Sequence, residues 1–380
     1  MDAENGMKSF FCHFLSTVCF LSCFPMLYCI LQGVGSANPA EAAQASSEKQ
    51  VISDYSMQIN NIISTALDGL VSIPKIYVLS DDLIKAPEPD RNQFGSSTTP
   101  LDTEDVVAQA VEQFHLESTL WNANRQILPG SKIHWYLDDT IFSISWKQVY
   151  EGAAFSFTEV VIAHPSQFRR YLADDAFGSP RQYYATEMAA SVNAVTALSA
   201  DFYKFRTIGT VIYRGKLYRM DGNNLDVCYV DSHGNLHLVP RGELTEERDM
   251  LRYITDNDIN FSLSFGPAMI RDGETCVPDY YLVGEITGGY SRCCLCQIGN
   301  LHYLLVTSNQ QPPYNQRLTL QQFTQVVFEQ GVVSAYALDG GQTATMYAGR
   351  QLFNAVDFGS ERVVSDIIYF ATAHPEEGNG

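Results

Sequence analysis

The strongest constraint on the fold is the density of aromatic and β-branched residues in two adjacent segments, KIHWYLDDTIFSISWKQVY (132–150) and AAFSFTEVVIAH (153–164). Residues of these types favour paired strands. Two later segments, IGTVIYRGKLYRM (208–220) and NLDVCYVDSHGNLHLVP (224–240), each have the pattern of a strand, a glycine turn and a second strand. Together these patterns predict a sheet that is predominantly antiparallel.

Helical patterns accompany this strand-rich region. The segment LTLQQFTQVVFEQG (318–331) combines a capping box at Thr319 and Gln322 with an apolar face and a final glycine. A second helix is expected to begin at Thr103, which is a candidate N-cap. With 380 residues, of which 46% are hydrophobic, the chain can bury a substantial core. We therefore expect residues 103–380 to form a single mixed domain of the α+β class.

The amino-terminal segment FFCHFLSTVCFLSCFPMLYCILQGV (10–34) lies in a stretch without acidic residues, lysine or arginine between Lys8 and Glu41. About 20 apolar residues span a bilayer, whereas the apolar region of a cleaved signal usually has about 7 to 15. Residues 1–37 are therefore predicted to be an uncleaved signal anchor, that is, a transmembrane helix. Cleavage after Ala37 is the alternative, because small residues surround it.

Few charges set the topology of this predicted anchor. Lys8 and the terminal amine favour a cytoplasmic amino end, whereas Asp2 and Glu4 oppose it. The first arrangement predicts a single-pass protein of the cell membrane whose globular domain lies outside the cytoplasm. Residues 38–102 end in a run rich in proline, serine, threonine and charge, which predicts a stalk or linker.

Charge and motif content narrow the function. A net charge of −19 and a pI near 4.7 argue against a nucleic-acid partner, because such binding needs clustered lysine and arginine. The sequence lacks GxGxxG, GxxxxGK[ST], GxSxG and HExxH motifs and identifies no cofactor. Cys293 and Cys296 have CxxC spacing, but no second pair follows. We therefore predict no metal site and interpret the cysteines as small apolar strand residues.

Three charged residues at the ends of apolar strands are candidates for a functional site. Asp339 precedes Gly340 and Gly341, whose backbone amides can bind an anionic group. Asp201 lies among aromatic residues that can stack on a sugar, and Arg292 can pair with a phosphate or carboxylate. On spacing alone, a turn explains Asp339 better, while Asp201 can cap a loop and Arg292 can pair with a nearby acid.

Five segments follow one another in an order that points to a family. They are ALSADFYKFRTIGTVIYRGKLYR (197–219), LSFGPAMIRDGE (263–274), GGYSRCCLCQIGNLHYLLV (288–306), AYALDGGQTATMYAGRQLFN (335–354) and ERVVSDIIYF (361–370). In this order they resemble the motifs of the phosphodiester glycosidase family, over about residues 150–374. The resemblance implies a hydrolase whose substrate is a carbohydrate or sugar phosphate, namely a sugar-1-phosphodiester.

The resemblance also implies roles for single residues. Asp201, Arg292 and Asp339 match positions with catalytic roles. The matching substrate-binding positions are Phe265, Gly266, Gly340, Gly341, Thr343, Glu361 and Arg362. In such a reaction the arginines bind the phosphate, and one aspartate acts as base or stabilises the sugar cation. The resemblance leaves open whether Asp339 or Asp201 has that role.

The sequence departs from the family pattern within these motifs. Ser199 and Ala200 replace an asparagine and a glycine, Ala337 replaces an asparagine, and Gln342 replaces a glycine. Lost amide side chains remove hydrogen bonds to substrate hydroxyls or to the catalytic acids. The alternative function is therefore a non-catalytic factor that binds or assembles exopolysaccharide or another surface glycopolymer on the same scaffold. A hydrolase of another cell-envelope linkage is a third possibility.

Overall fold

The computed structural model describes residues 77–374. The predicted signal anchor at 1–37 and the predicted stalk as far as residue 76 lie outside the described residues and remain predictions. Within residues 77–374, no helix combines the length and the apolar character that crossing a membrane requires. The described residues belong to one compact unit.

The described part of the chain contains four α-helices and nineteen strands, joined by turns and short 3-10 segments. The helices are α1 (Glu104–Gln113), α2 (Ala185–Ser191), α3 (Glu247–Asp256) and α4 (Leu320–Phe328). The strands are β1 (Phe94–Ser97), β2 (Ile133–Leu137), β3 (Ile141–Tyr150), β4 (Ala153–Ile162), β5 (Phe168–Leu172), β6 (Thr196–Ser199), β7 (Val211–Tyr213), β8 (Lys216–Arg219), β9 (Val227–Asp231), β10 (Leu236–Val239), β11 (Ile259–Leu263), β12 (Ala268–Arg271), β13 (Glu274–Thr275), β14 (Arg292–Gly299), β15 (His302–Asn309), β16 (Ser334–Ala337), β17 (Met346–Ala348), β18 (Gln351–Leu352) and β19 (Asp366–Phe370).

These strands form four sheets, and the pairings within residues 77–374 are antiparallel. The largest sheet has nine strands in the order β1-β2-β3-β4-β15-β14-β16-β12-β13. The others have the orders β18-β17-β6-β19-β5, β10-β9-β11 and β7-β8. The predicted α+β class with a predominantly antiparallel sheet is confirmed.

The first two predicted strand segments form β2, β3 and β4, which are adjacent interior strands of the large sheet. Strands β3 and β4 pair from Ile141 with Ile162 to Tyr150 with Ala153. The two residues between them, Glu151 and Gly152, both have positive φ, at 48° and 75°. Positive φ at both central positions matches the right-handed twist of the flanking strands, which explains the tight connection.

Strand β1 lies within the stretch that the sequence predicts to be a stalk. Its residues pair with β2, from Phe94 with Tyr136 to Ser97 with Ile133. This part of the chain therefore belongs to the edge of the large sheet and is not a free linker. The proline and serine residues around β1 favoured a linker. Local composition carries no information about a partner strand about 40 residues later, so it could not indicate this pairing.

The large sheet has an apolar core on each face. Cys294 and Cys296 on β14 face the core that contains Phe323 of α4. Cys293 and Leu295, at the alternate positions of the same strand, face the core shared with the five-stranded and three-stranded sheets. Because side chains alternate along a strand, β14 supplies apolar residues to both cores. The interpretation of these cysteines as small apolar strand residues agrees with their burial.

The two expected helix starts have different outcomes. Thr319 and Gln322 form the capping box at α4, with the Gln322 N–H donating to Thr319 Oγ1 at 3.2 Å. Thr103 is the N-cap residue of α1 as expected, but its hydroxyl makes no hydrogen bond to the first turn of that helix. Instead it donates to the Pro100 carbonyl oxygen and accepts from Trp121 Nε1, both at 2.7 Å.

Candidate active site

Two cavities share one residue just beyond the end of β16. The larger pocket, of about 270 Å³, is lined by Phe265, Gly266, Gly284, Glu285, Ile286, Tyr290, Ser291, Arg292, Cys293, Leu320, Ala337, Leu338, Asp339, Gly340 and Gly341. A smaller recess is lined by Asp201, Phe202, Phe205, Asp339, Thr343, Arg362, Val363, Val364 and Ser365. Asp339 lines both, so the structure brings it together with Arg292 in one cavity and with Asp201 in the other.

The glycines after Asp339 allow the chain to turn against the start of β14. The N–H of Gly341, which has φ of 64°, donates to the Ser291 carbonyl oxygen at 2.8 Å. A Cβ atom on Gly340 would lie 2.5 Å from the same oxygen. The expectation that both amides face an anion is therefore wrong for Gly341, whose amide serves the fold.

Asp339 is partly exposed and carries a perturbed carboxyl group. Burial raises its pKa to about 6. A hydrogen bond with Thr343 and the positive charges of Arg206 and Arg362 oppose this rise, while the negative charge of Asp201 adds to it. A carboxyl group with this pKa is mostly ionised at neutral pH and becomes protonated in mild acid.

Asp201 is 3% exposed, and both of its carboxylate oxygens have partners. Oδ1 accepts from the Phe202 N–H at 2.6 Å and from Nη2 of Arg206. Oδ2 accepts from the Ser264 N–H at 2.9 Å and lies 3.6 Å from Nη2 of Arg170. These contacts occupy the oxygen atoms that a catalytic base would need, so Asp201 mainly holds the surrounding loops and arginines in place.

A buried ion pair anchors Asp201 to the five-stranded sheet. Arg170 donates from Nε to Asp366 Oδ2 at 2.8 Å, and its Nη2 lies 2.6 Å from the same oxygen. Both side chains are fully buried. Burial raises the pKa of Asp366 to about 6, although the charge of Arg170 opposes the rise. The Asp201 N–H donates to the same Asp366 oxygen at 3.4 Å, so this pair holds the backbone at Asp201.

Arg292 lines the larger pocket, but much of its guanidinium is bound to backbone. Nε donates to the Leu318 carbonyl at 3.2 Å, Nη1 to the Glu285 carbonyl at 2.5 Å, and Nη2 to the Gly288 carbonyl at 2.6 Å. Burial lowers its pKa to about 10, so it remains a cation at neutral pH. Three of its five N–H groups are thus used, and Arg292 shapes the pocket wall formed by residues 285–290.

Arg206 is a site residue that the sequence patterns did not single out. Its side chain is 7% exposed, and its Nη2 donates to Asp201 Oδ1. The guanidinium carbon lies 5.7 Å from the ring centroid of Phe202 and 5.4 Å from that of Phe265. Phe202 belongs to the recess and Phe265 to the larger pocket. The available signal was its position five residues after Asp201, within the first family-like segment.

Four other predicted substrate-binding residues lie on the cavities. Phe265 and Gly266 line the larger pocket, whereas Thr343 and Arg362 line the recess. Gly266 has φ of 73°, and a Cβ there would lie 2.2 Å from the Tyr281 hydroxyl. A glycine is therefore required where β12 approaches the pocket.

Glu361, which the family resemblance assigned to substrate binding, lies on neither cavity. Its carboxylate accepts from the Thr186 hydroxyl at 2.8 Å and from the Thr186 N–H at 3.3 Å. Thr186 is in the first turn of α2. Glu361 therefore accepts a hydrogen bond from a backbone N–H in the first turn of α2. A negative charge at this position also interacts favourably with the helix dipole.

Two of the residues that depart from the family pattern have partners within the protein. The Ser199 hydroxyl oxygen accepts from the Thr345 N–H at 3.1 Å. Gln342 donates from Nε2 to the Ser360 carbonyl oxygen at 3.1 Å. Ala337, in contrast, lines the larger pocket. Of these three residues, Ala337 is the one that gives the pocket wall a side chain without a hydrogen-bonding group.

The family model for phosphodiester glycosidase matches residues 192–371. These residues contain Asp201, Arg206, Arg292 and Asp339. This part of the chain is a phosphodiester glycosidase-like domain. The resemblance seen in the ordered motifs is thereby confirmed. No curated protein sequence matches the chain.

Solved structures similar to this phosphodiester glycosidase domain come from distant sequences. A hypothetical protein from Synechocystis has 14% identity and a TM-score of 0.43, with 61% of this chain and 62% of that chain covered. The zebrafish N-acetylglucosamine-1-phosphodiester alpha-N-acetylglucosaminidase catalytic domain, auto-inhibited by its pro-peptide, has 16% identity and a TM-score of 0.48. That match covers 61% of this chain and 83% of the zebrafish chain.

Proposed function

We propose that the chain is a hydrolase that releases a sugar from a sugar-1-phosphodiester or from a glycopolymer with that linkage. The observation that carries the proposal is the position of Asp339. It is a carboxyl group that lines both cavities of a phosphodiester glycosidase domain, next to the positive charges of Arg206 and Arg362. Positive charge favours a phosphate, and a nearby carboxylate favours an electron-poor sugar carbon.

The chemistry at such a bond places few demands on a general acid. A water oxygen attacks the anomeric carbon, the bond from that carbon to the phosphate oxygen breaks, and a phosphate monoester leaves. Since this leaving group is only weakly basic, the main requirements are a base or anionic stabiliser near the carbon and cations near the phosphate. The occupied oxygens of Asp201 favour Asp339 for the first role.

The pKa of Asp339 gives the proposal a pH dependence. The ionised carboxylate is the form that accepts a proton from water or stabilises a sugar cation. With a pKa of about 6, turnover is expected to rise with pH through that value and to be lost in mild acid. A profile of kcat/KM between pH 4 and 8 measures this limb directly.

The decisive experiment offers the purified full chain a panel of hexose and N-acetylhexosamine 1-phosphodiesters, in both anomers, in ¹⁸O-labelled water. Cleavage at the anomeric carbon places ¹⁸O in the sugar, whereas cleavage at phosphorus places it in the phosphate. Asp339→Asn should lower turnover by roughly 100-fold or more. Asp279→Asn, at an exposed aspartate outside both cavities, is the matched control.

Three results would contradict the proposal: no turnover over the whole panel, label in the phosphate, or full activity in Asp339→Asn. Saturable binding of an anionic glycan without product would instead support the non-catalytic alternative, a factor that binds or assembles surface glycopolymers. Label in the phosphate would favour a hydrolase that breaks a different bond of the diester, the phosphorus–oxygen bond.

We further propose that residues 1–37 anchor this domain to the cell membrane on its extracytoplasmic side. The support is the apolar stretch without acidic residues, lysine or arginine between Lys8 and Glu41. The chain should remain in the membrane fraction after an alkaline carbonate wash, and protease added outside intact cells should digest the domain. Release by carbonate, or protection in intact cells, would refute this arrangement.

A further inference from the structure

Arg206 has hydrogen-bonding capacity that the described residues do not use. Its side chain is more than nine-tenths buried, and Nη2 donates to Asp201. Its Nε and Nη1 atoms are buried and have no hydrogen-bond partner within residues 77–374. A buried donor without a partner is costly, and more so when it belongs to a cation. Such nitrogens usually meet a water or a ligand.

The two unpartnered nitrogens of Arg206 lie close to the candidate active site. The guanidinium contacts one ring from each cavity, Phe202 of the recess and Phe265 of the larger pocket. Its partner Asp201 lies on the recess together with Asp339. Arg206 therefore lies between residues of the two cavities, and its charge acts on the carboxyl group of Asp339.

Several arginines lie close together around Asp201. The charges of Arg170, Arg206 and Arg219 all act on this carboxylate, and Arg170 also pairs with Asp366. Positive charge is thus concentrated at this site, in a chain with a net charge of −19. Arg219 also has a buried nitrogen, Nη2, without a partner in the described part of the chain.

The other arginines of the site are less suited to bind a buried phosphate. Arg292 spends three N–H groups on backbone carbonyls. Arg362 lies on the recess but is exposed, so water and salt screen its charge. Arg206 combines burial, fixed placement by Asp201 and two unused nitrogens.

We propose that Arg206 is the phosphate-recognition residue of this site, with Nε and Nη1 donating to the phosphodiester oxygens of the substrate. This inference rests on the proposed function for the class of ligand. Asp201 then acts as a positioning residue that holds the guanidinium through Nη2.

Anion binding tests this inference independently of turnover. The full chain in detergent is titrated calorimetrically with dimethyl phosphate, a monoanionic diester, and with neutral trimethyl phosphate. Arg206→Met should weaken dimethyl phosphate binding by roughly 10- to 100-fold, because a hydrogen bond to a charged group is lost. Arg206→Lys should retain part of the affinity, and neither variant should change the weak response to trimethyl phosphate.

Arg241→Met is the matched control, because Arg241 also has a buried nitrogen without a partner among the described residues, and contacts an aromatic ring at 4.9 Å. It should bind dimethyl phosphate within about twofold of wild type. If Arg206→Met does not fold, the ¹⁵Nε resonance of Arg206 in the wild type replaces it, identified by its loss in Arg206→Lys. That resonance should shift on titration with dimethyl phosphate.

The outcomes separate this inference from the proposed function. Equal binding by wild type and Arg206→Met, an unmoved Arg206 resonance, or an equal loss in Arg241→Met overturns the role of Arg206, whether or not the protein turns over substrate. Binding of dimethyl phosphate that depends on Arg206, without turnover of any diester, supports the role and refutes the hydrolase. A water alone at these nitrogens predicts no dependence on Arg206.

Discussion

Asp339→Asn is expected to stabilise the protein at neutral pH while it removes activity. The pKa of the Asp339 carboxyl rises from its ordinary value of 3.8 to about 6 in the folded protein. The folded state therefore binds the proton more tightly than the unfolded chain does. As pH rises from about 4 to above 6, the folded protein must ionise a group that its surroundings disfavour, and stability is lost.

The size of this effect follows from the two pKa values. They differ by roughly two pH units, and each unit corresponds to about 1.4 kcal/mol, which sets an upper limit near 3 kcal/mol. Partial exposure of Asp339 lowers the figure, so we expect a gain of about 1–3 kcal/mol from the neutral asparagine above pH 6. For a chain of this size, that is roughly 2–6 °C in melting temperature.

Thermal melts of wild type and Asp339→Asn at intervals from pH 4 to pH 8 measure the gain. Asp366 also titrates with a raised pKa, so the quantity to follow is the difference between the two proteins, in which the contribution of Asp366 cancels. The gain should be full at pH 7.5 and small at pH 4, where the folded carboxyl is protonated and the unfolded one is nearly half protonated. A variant less stable at pH 7.5, or a gain independent of pH, would refute the reasoning. Asp279→Asn should show neither the gain nor its pH dependence.

Three further substitutions test other parts of the site. Gly340→Ala places a Cβ 2.5 Å from the Ser291 carbonyl oxygen, so thermal melts should show a loss of about 1–3 kcal/mol. Glu361→Ala removes the acceptor for Thr186 and should cost about 1 kcal/mol with KM unchanged; a several-fold rise in KM would restore its substrate role. Arg292→Lys loses bonds that hold the pocket wall, and steady-state kinetics should show KM rising more than kcat falls.

Sequence patterns predicted those features whose causes are local. The capping box of α4 needs two residues three positions apart, and the hairpin of β3 and β4 needs alternating apolar residues around a two-residue turn. Thr103 is at the predicted N-cap position, but its hydroxyl bonds to a tertiary partner, Trp121, which the local sequence could not indicate. The edge strand β1 was missed for a similar reason, since its pairing with β2 crosses a long connection.

In the candidate site, too, the sequence indicated features with local causes and missed those that depend on distant residues. The ordered motifs predicted that Asp201, Arg292 and Asp339 belong to one region, and Asp339 lines one cavity with Arg292 and another with Asp201. They could not separate the residues that contact the cavities from those that support them. Glu361 illustrates this: its partner Thr186 is 175 positions away, and only the folded chain brings the two together.

The difference between Asp201 and Asp339 is a consequence of packing, and it bears on the mechanism. Both acids follow short buried strands of similar composition, so their sequences favour neither. In the fold, Asp201 accepts hydrogen bonds from two backbone N–H groups and from Arg206. Asp339 lines both cavities, and its carboxyl has fewer direct hydrogen-bond partners. A fully bonded carboxylate is held in place and is a poor proton acceptor, while one with fewer partners and a pKa near 6 can exchange a proton at neutral pH. In the proposed reaction, Asp201 therefore holds the guanidinium of Arg206 in place, and Asp339 acts at the sugar carbon.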